Sequence, residues 1–463
     1  MVQRSVIAVI DIGKTNAKVA LVDRDLLTEV AVVTQPNQVL PAPPYPHFDV
    51  DSIYKFIISS LTKFATEFAI VAVSVTTHGA CCALIDDNGE LVTPVMDYEF
   101  EGLESTSDAY DEIRPEFSET GSPRLAVGLN LGAQIFWLFN NFPEIKIRTK
   151  HIVTYAQYWS FQLTGILRNE LTSLGCHTDL WDPNQSKYSS MVCKLGWLDK
   201  MAPVAKANEQ LGPVLPKVSL QTGLQQNVPV YCGIHDSNAS LLPHLVMEKG
   251  PFSVVSTGTW VIAMAIDSAQ TELDPKRDTL INVNGFGNPV PSARFMGGRE
   301  FEVLMANRKH KFEPEDVEFI LQNNVILLPS VMQNSGPFQG RQHHWTVEPA
   351  RLSDGQYYVA VSYYLAMMTA SCLSLIGGKG KKIVEGPFSK NELYCDMLAT
   401  ATSSPVQPSR GTGTSIGAAI LTLENYNSST ALSQEQFETS QYLKSYAERW
   451  LHIVKGDRPL VIN

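Results

Sequence analysis

The chain has 463 residues, too many for one ordinary hydrophobic core, so two domains are expected. Hydrophobic residues at 44% and charged residues at 18% match a soluble globular chain. A net charge of -11 argues against a nucleic-acid partner, because there is no basic surplus to neutralise phosphates, although local backbone N–H groups can still hold an anion.

In chain order, residues 6–23 read as a strand (VIAVID), a Gly-containing turn (IGKTN) and a second strand (AKVALVD). Residues 51–68 carry Ile53, Phe56, Ile57, Leu61 and Phe64 at helical spacing. A strand (AIVAVSVTT) follows and ends at His78-Gly79, and residues 125–141 and 151–164 read as buried helices. A mixed, Pro-containing stretch over 200–228 leads into another strand, VPVYCGI. Residues 252–267 then repeat the opening plan as FSVVS, TGT and WVIAMAID, which points either to duplication or to two unrelated hairpins. A long helix over Gln356–Ile376, a Gly-rich turn and the strand KIVEG come next, and a surface helix with a tail ends the chain. Strands alternating with helices predict an α/β fold, with the divisions 1–245, 246–440 and 441–463.

Seven scattered cysteines without a C-x-x-C spacing read as buried thiols of a reducing compartment. The opening apolar run is broken by Asp11 and Lys14 and lacks a signal-peptide core. No run reaches the ~18 consecutive apolar residues that cross a bilayer, so a cytoplasmic chain without a membrane partner is expected.

Four segments carry candidate chemistry, and each also reads as ordinary structure. Asp11-Ile12-Gly13-Lys14-Thr15-Asn16-Ala17-Lys18 places a carboxylate at a strand end before a turn rich in N–H and hydroxyl donors. That suits phosphate oxygens and a hydrated Mg²⁺, but the same residues also form plain turns. Ser256-Thr257-Gly258-Thr259 offers a second such turn. Gly233-Ile234-His235-Asp236-Ser237 ends a strand in a carboxylate that is either a proton acceptor or a helix N-cap. Glu385-Gly386-Pro387-Phe388-Ser389-Lys390-Asn391 and Gly411–Ala419 supply the small residues that admit a flat ligand or close helix packing.

Taken together and in this order, the segments resemble the FGGY carbohydrate kinases, of the actin, sugar-kinase and Hsp70 fold group, over about residues 6–425. The first resembles the family's phosphate motif D-x-G-[TA]-[TS]-[SN]-x-[RK]. Val228-Pro229-Val230 leading into Gly233–Asp236 resembles its P-V-x-x-G-x-x-D. Ser256–Thr259 is similar to the second phosphate motif, with Trp260 where Ser is usual, and the last two segments resemble the adenosine segment and its closing helix. The resemblance implies two actin-like (ribonuclease H-like) domains with a nucleotide and sugar cleft between them, closing over ATP, Mg²⁺ and a small sugar. It implies Asp236 as catalytic base and sugar contact, and Asp11 as the residue that holds Mg²⁺. Gly13, Lys14, Thr15, Asn16, Lys18, Gly258, Thr259, Gly386, Pro387 and Asn391 are the implied nucleotide contacts. A homodimer is compatible with this reading.

The sugar side departs from the pattern. Thr76-Thr77-His78-Gly79 stands where a polar residue precedes x-H-G, and Asp97-Tyr98-Glu99 stands where W-x-D is usual. His78, Gly79, Asp97 and Glu99 are the expected sugar contacts. Phe295–Phe301 reads as a sugar-facing loop or a surface turn, His343-His344-Trp345 as a surface cluster, and the aromatics of 356–364 as packing. The implied reaction is in-line transfer of phosphate from MgATP to a ketose, a pentulose or a 6-deoxyhexulose such as L-fuculose or L-rhamnulose. The alternatives are a xylulose, ribulose or polyol kinase, a sensor that binds without transfer, and an ATP-driven switch.

Overall fold

Strand β1 (Ser5–Ile12) alternates between two cores: Val6, Ala8, Ile10 and Ile12 pack into one, while Ile7 and Val9 pack into the other. A strand buried on both faces needs no polar row, which is why the opening run is apolar throughout. The computed structural model describes residues 4–269, 271–409, 413–423 and 436–456. They cluster into two compact units. One draws on Met1–Met247, Ile281–Pro289 and Thr412–Ser428, the other on Glu248–Leu280, Val290–Gly411 and Ser429–Asn463.

In the first unit β1 is followed by β2 (Asn16–Asp23), β3 (Glu29–Pro36), α1 (Val50–Ala65) and β4 (Ala69–Thr77). After these come α2 (Leu131–Asn141), α3 (Tyr155–Thr164), β5 (Gln210–Pro213), β6 (Pro229–Tyr231), β7 (Ile234–His235) and α4 (Asp236–Met247). The sheet order is β5-β6-β4-β1-β2-β3, with β7 also on β4. Helix α1 buries Ile53, Phe56, Ile57, Leu61 and Phe64, the residues its spacing predicts, and Asp49 caps it by accepting from the Ser52 N–H at 3.0 Å. On the opposite face lie α4 and the helix Gly413–Ile420, whose Ala418, Ala419 and Ile420 join Ile7, Val9 and Ala239. Gly417 is required there, since a Cβ would stand 1.7 Å from the Ala239 carbonyl oxygen.

Two expected helices are shorter than their apolar runs. Asn130 ties residues 122–130 into a loop, accepting from the Leu125 N–H at 2.7 Å and donating to the Pro123 and His177 carbonyls, so α2 starts only at Leu131. His151–Thr154 instead pairs as a strand with Cys82–Ile85, and α3 begins after it. Six cysteines are buried and Cys193 is exposed, unlike the uniformly buried set expected.

The second unit contains β8 (Phe252–Thr257), β9 (Val261–Ile266), β10 (Pro289–Phe295), α5 (Gly297–Met305) and α6 (Asp354–Leu375). It continues through β11 (Lys381–Glu385), α7 (Glu392–Thr402), β12 (Val406–Pro408) and α8 (Gln441–Lys455). Five of its strands run β10-β9-β8-β11-β12, with antiparallel pairs up to β8 and parallel pairs beyond. The strands β3-β2-β1-β4-β6 of the first unit show the same order and directions. The likeness of the two hairpins therefore extends to a repeated five-strand plan.

Helix α6 has the length and composition to cross a membrane, yet 83% of its most apolar stretch is buried, as in a core helix. Helix α8 is more than a surface helix. It buries Leu443, Tyr446, Trp450 and Val454, and the Trp450 indole donates to the Leu327 carbonyl at 2.9 Å.

Candidate active site

In β1 the row of Ile7 and Val9 continues to position 11, so Asp11 points to the face that carries α4 and the helix Gly413–Ile420. There the Thr414 hydroxyl donates to its carboxylate, and Lys18, its cross-strand partner on β2, stands 3.3 Å away. Burial raises the Asp11 pKa and the negative charge of Asp236 adds to that, while Thr414 and Lys18 act in the opposite direction. Gly13–Asn16 forms the tight turn between β1 and β2, closed by the Gly13 N–H on the Asn16 carbonyl at 2.8 Å, and Asn37 braces it from outside. Thr15 and Asn16 are exposed. Gly411 and Thr412, part of the expected closing segment, lie outside the described residues.

The Lys14 side chain does not join that donor set. Its ammonium pairs with Asp97 and stands 3.1 Å from Glu99, with the rings of Tyr98 at 4.7 Å and Phe48 at 5.2 Å. The expected nucleotide contact is thus joined to two of the expected sugar contacts. His78 packs against the same Phe48 and Tyr98 rings and against Tyr155. Its Nδ1 lies 2.8 Å from the Gly79 carbonyl, which can only accept, so Nδ1 carries the proton and Nε2 is an acceptor. His78 is 93% buried, its Nε2 has no hydrogen-bond partner, and burial lowers its pKa.

Asp236 opens α4 directly after β7. Its carboxylate accepts from the Ser237 N–H at 2.6 Å and from the Ser237 hydroxyl at 3.2 Å. An N-cap would instead accept from N–H groups two or three residues further on. With 28% of its side chain exposed, Asp236 is reachable from outside, and burial of the remainder raises its pKa while His78 and Ser237 lower it. His235 is held neutral by burial, with a pKa lowered to about 4, and its Nε2 lies 3.2 Å from the Asp236 carboxylate. Gly79 leaves room for that ring, since a Cβ would meet the His235 Nε2 at 3.0 Å.

The second unit holds a cavity of ≈ 420 Å³ lined by Gly258, Thr259, Pro387 and Asn391 among the expected nucleotide contacts. Gly386 stands behind that wall: its φ of +81° and its approach to the Thr257 carbonyl admit no side chain. Asn391 also caps α7 by accepting from the Tyr394 N–H. Phe295–Phe301 is neither a sugar-facing loop nor a surface turn. It ends β10 and begins α5, and Gly298 and Phe301 line the cavity. Gly298 packs so closely on the turn that a Cβ would stand 2.0 Å from the Gly258 carbonyl oxygen.

The aromatics of 356–364 pack as expected, with Tyr357, Tyr363 and Tyr364 in the core, but sequence reasoning missed that Tyr358, packed against that core, also lines the cavity. Tyr358 lines the cavity with His310 stacked on it at 5.9 Å and 11° between planes, and Phe301 stands edge-on to both. The local pattern gave no signal for this wall, because consecutive residues of α6 from Val359 to Leu373 are all buried. His344 is exposed, as expected of a surface cluster.

Residues 6–243 match the FGGY family of carbohydrate kinases, N-terminal domain, and residues 249–431 match the carbohydrate kinase FGGY C-terminal domain. The chain belongs to the FGGY family. A carbohydrate kinase from Novosphingobium aromaticivorans has the same fold with a TM-score of 0.90 and 32% identity, over 98% of this chain and 99% of that one. L-fuculokinase of Escherichia coli K12 is 24% identical over 58% of each chain. The probable L-xylulose kinase of Haemophilus influenzae is 24% identical over 55% of this chain and 56% of its own length. The chain thus spans somewhat over half the length of the curated relatives it matches.

FGGY membership implies Mg²⁺, and the donor set fits it. Asp11 offers hard carboxylate oxygens, and among the described residues no three His, Cys, Asp or Glu side chains form a protein-only metal cage. Mg²⁺ is commonly held in this way, by one or two carboxylates with phosphates and waters completing the shell.

Proposed function

We propose that this protein transfers the γ-phosphoryl group of ATP to a hydroxyl of a small sugar, a ketose of the pentulose or 6-deoxyhexulose type. The reading is carried by the gathering of Asp11, His78 and Asp236 in one unit, from a strand end, a strand-following turn and a helix start. The acceptor hydroxyl attacks phosphorus and gives its proton to Asp236, while the bond to the departing ADP oxygen breaks. Burial that raises the Asp236 pKa makes it a better acceptor than an exposed carboxylate.

His78 Nε2 accepts a second hydroxyl of the sugar and fixes its orientation. Asp11 holds Mg²⁺, which when bound offsets the negative charge of the phosphates. N–H groups of the Gly13–Asn16 turn other than that of Gly13, which closes the turn, bind phosphate oxygens. The aromatic slot of Tyr358, His310 and Phe301 takes the adenine. The names of the L-fuculokinase and L-xylulose kinase relatives support a ketose as acceptor.

The test is an ADP-release assay with Mg²⁺ across pentuloses, 6-deoxyhexuloses, aldoses and polyols. Sugar-dependent ADP release, highest with a ketose, is expected. No ADP release with any acceptor would overturn the reading, and a preference for an aldose or polyol would overturn its ketose part.

A further inference from the structure

We infer that Lys14, clamped by Asp97 and Glu99, makes this an uncharged-sugar site that turns away sugar acids. The inference rests on the sugar-kinase reading above and names the residues that set its specificity against charged sugars. A lysine in a sugar pocket is ordinarily a receptor for a carboxylate or phosphate. Here the ammonium is already matched twice over, by Asp97 and by Glu99 at 3.1 Å, and it lies over the Tyr98 and Phe48 rings. Lys18 is engaged at Asp11, so two carboxylates, Asp97 and Glu99, share the one ammonium.

An anionic substrate would bring a third negative charge to a partly buried ammonium already matched by two, where repulsion is weakly screened. A neutral polyol meets no such barrier. Its hydroxyls donate to Asp97, Glu99 and the bare His78 Nε2, and they accept from Lys14. The lysine therefore serves twice. It pairs with Asp97, whose side chain is only 9% exposed, and it supplies the donor that a site of carboxylates lacks.

The experiment compares matched neutral and acidic ligands, a panel of ketoses and alditols against the corresponding aldonates. Binding is read by calorimetry without nucleotide and turnover by ADP release, for wild type, Lys14→Met, Lys14→Met/Asp97→Asn and Glu99→Gln. The double variant removes both members of the buried pair, which guards against misfolding caused by an unpaired Asp97. Wild type is expected to bind a neutral sugar at least ~100-fold more tightly than its aldonate. Both Lys14 variants should weaken neutral-sugar binding at least ~10-fold with KM for ATP unchanged. Glu99 is largely exposed, so Glu99→Gln should fold normally and bring aldonate binding closer to that of the neutral sugar by ~10-fold.

Aldonate binding equal to neutral binding in wild type, or an unchanged preference in all three variants, would overturn the inference. Aldonate turnover that disappears in Lys14→Met would also overturn it while leaving the kinase reading intact. Neutral-sugar binding without ADP release would support the inference and remove the kinase reading. Failure of both ligand classes to bind at millimolar concentration would sink it.

Discussion

At Asp236 the proton affinity is a contest between burial, which raises it, and the neighbouring His78 with the hydrogen bonds from Ser237, which lower it. Burial wins, so the carboxyl ionises above the usual carboxylate range, and a reaction that needs it as a base should lose rate on the acid side at a correspondingly higher pH. Asp236→Asn keeps the size and the bond from Ser237 but removes the proton acceptor. Steady-state kinetics should show turnover reduced at least ~100-fold, with KM values little changed. Near-wild-type turnover in this variant would reduce Asp236 to a bystander. The sequence identified Asp11, His78 and Asp236 because they end or follow strongly patterned strands. It misdirected Lys14, because a motif places a backbone turn and says nothing of which way a four-carbon side chain reaches. The segment that holds Thr414 was singled out, but its bond to Asp11 was out of reach, since the two lie 403 positions apart along the chain.

At the scale of elements, α5 and α6 wall the cavity proposed above for the nucleoside. Tyr358→Ala should remove one stacking face, worth about 1–3 kcal/mol, and so raise KM for ATP by ~5-fold or more without moving sugar affinity. An unchanged KM for ATP would show that adenine stacks elsewhere. Behind the slot, Glu300 on α5 accepts from the Met332 N–H at 2.9 Å and from the Tyr364 hydroxyl at 2.9 Å. Burial nevertheless pushes its pKa up to about 7. The folded state therefore keeps a proton that the unfolded chain releases at its ordinary carboxylate pKa. Stability from this group is whole below that range and is lost as pH rises through about 7, up to about 3 kcal/mol. Thermal unfolding of wild type should weaken from about pH 5 to 8, and Glu300→Gln should show a shallower decline. Some slope should remain, because buried Glu170 is also raised to about 7. Identical slopes in the two proteins would contradict the assignment.

For the whole molecule, the repeated five-strand plan was legible as two similar hairpins, because each strand pair carries its own apolar pattern and turn. The spans of α1 and β4 were legible for the same reason. The membership of the helix Gly413–Ile420 in the first unit was not, because tertiary contact leaves no local period. That helix predicts the behaviour of a fragment. Residues 1–247 alone would expose Ile7, Val9, Ala239 and Leu242, so the fragment should aggregate or bind a hydrophobic dye, and adding a peptide of residues 413–423 should reduce both. A monomeric fragment with cooperative unfolding would refute this. The same helix also imposes a schedule on synthesis. Roughly 170 residues separate the end of α4 from Ile420, which at ribosomal speeds of 5–20 residues per second is about 10–30 s. For that interval the first sheet waits with one face unsealed and Asp11 without Thr414, so neither the second core nor the carboxylate's partner is complete until late in synthesis.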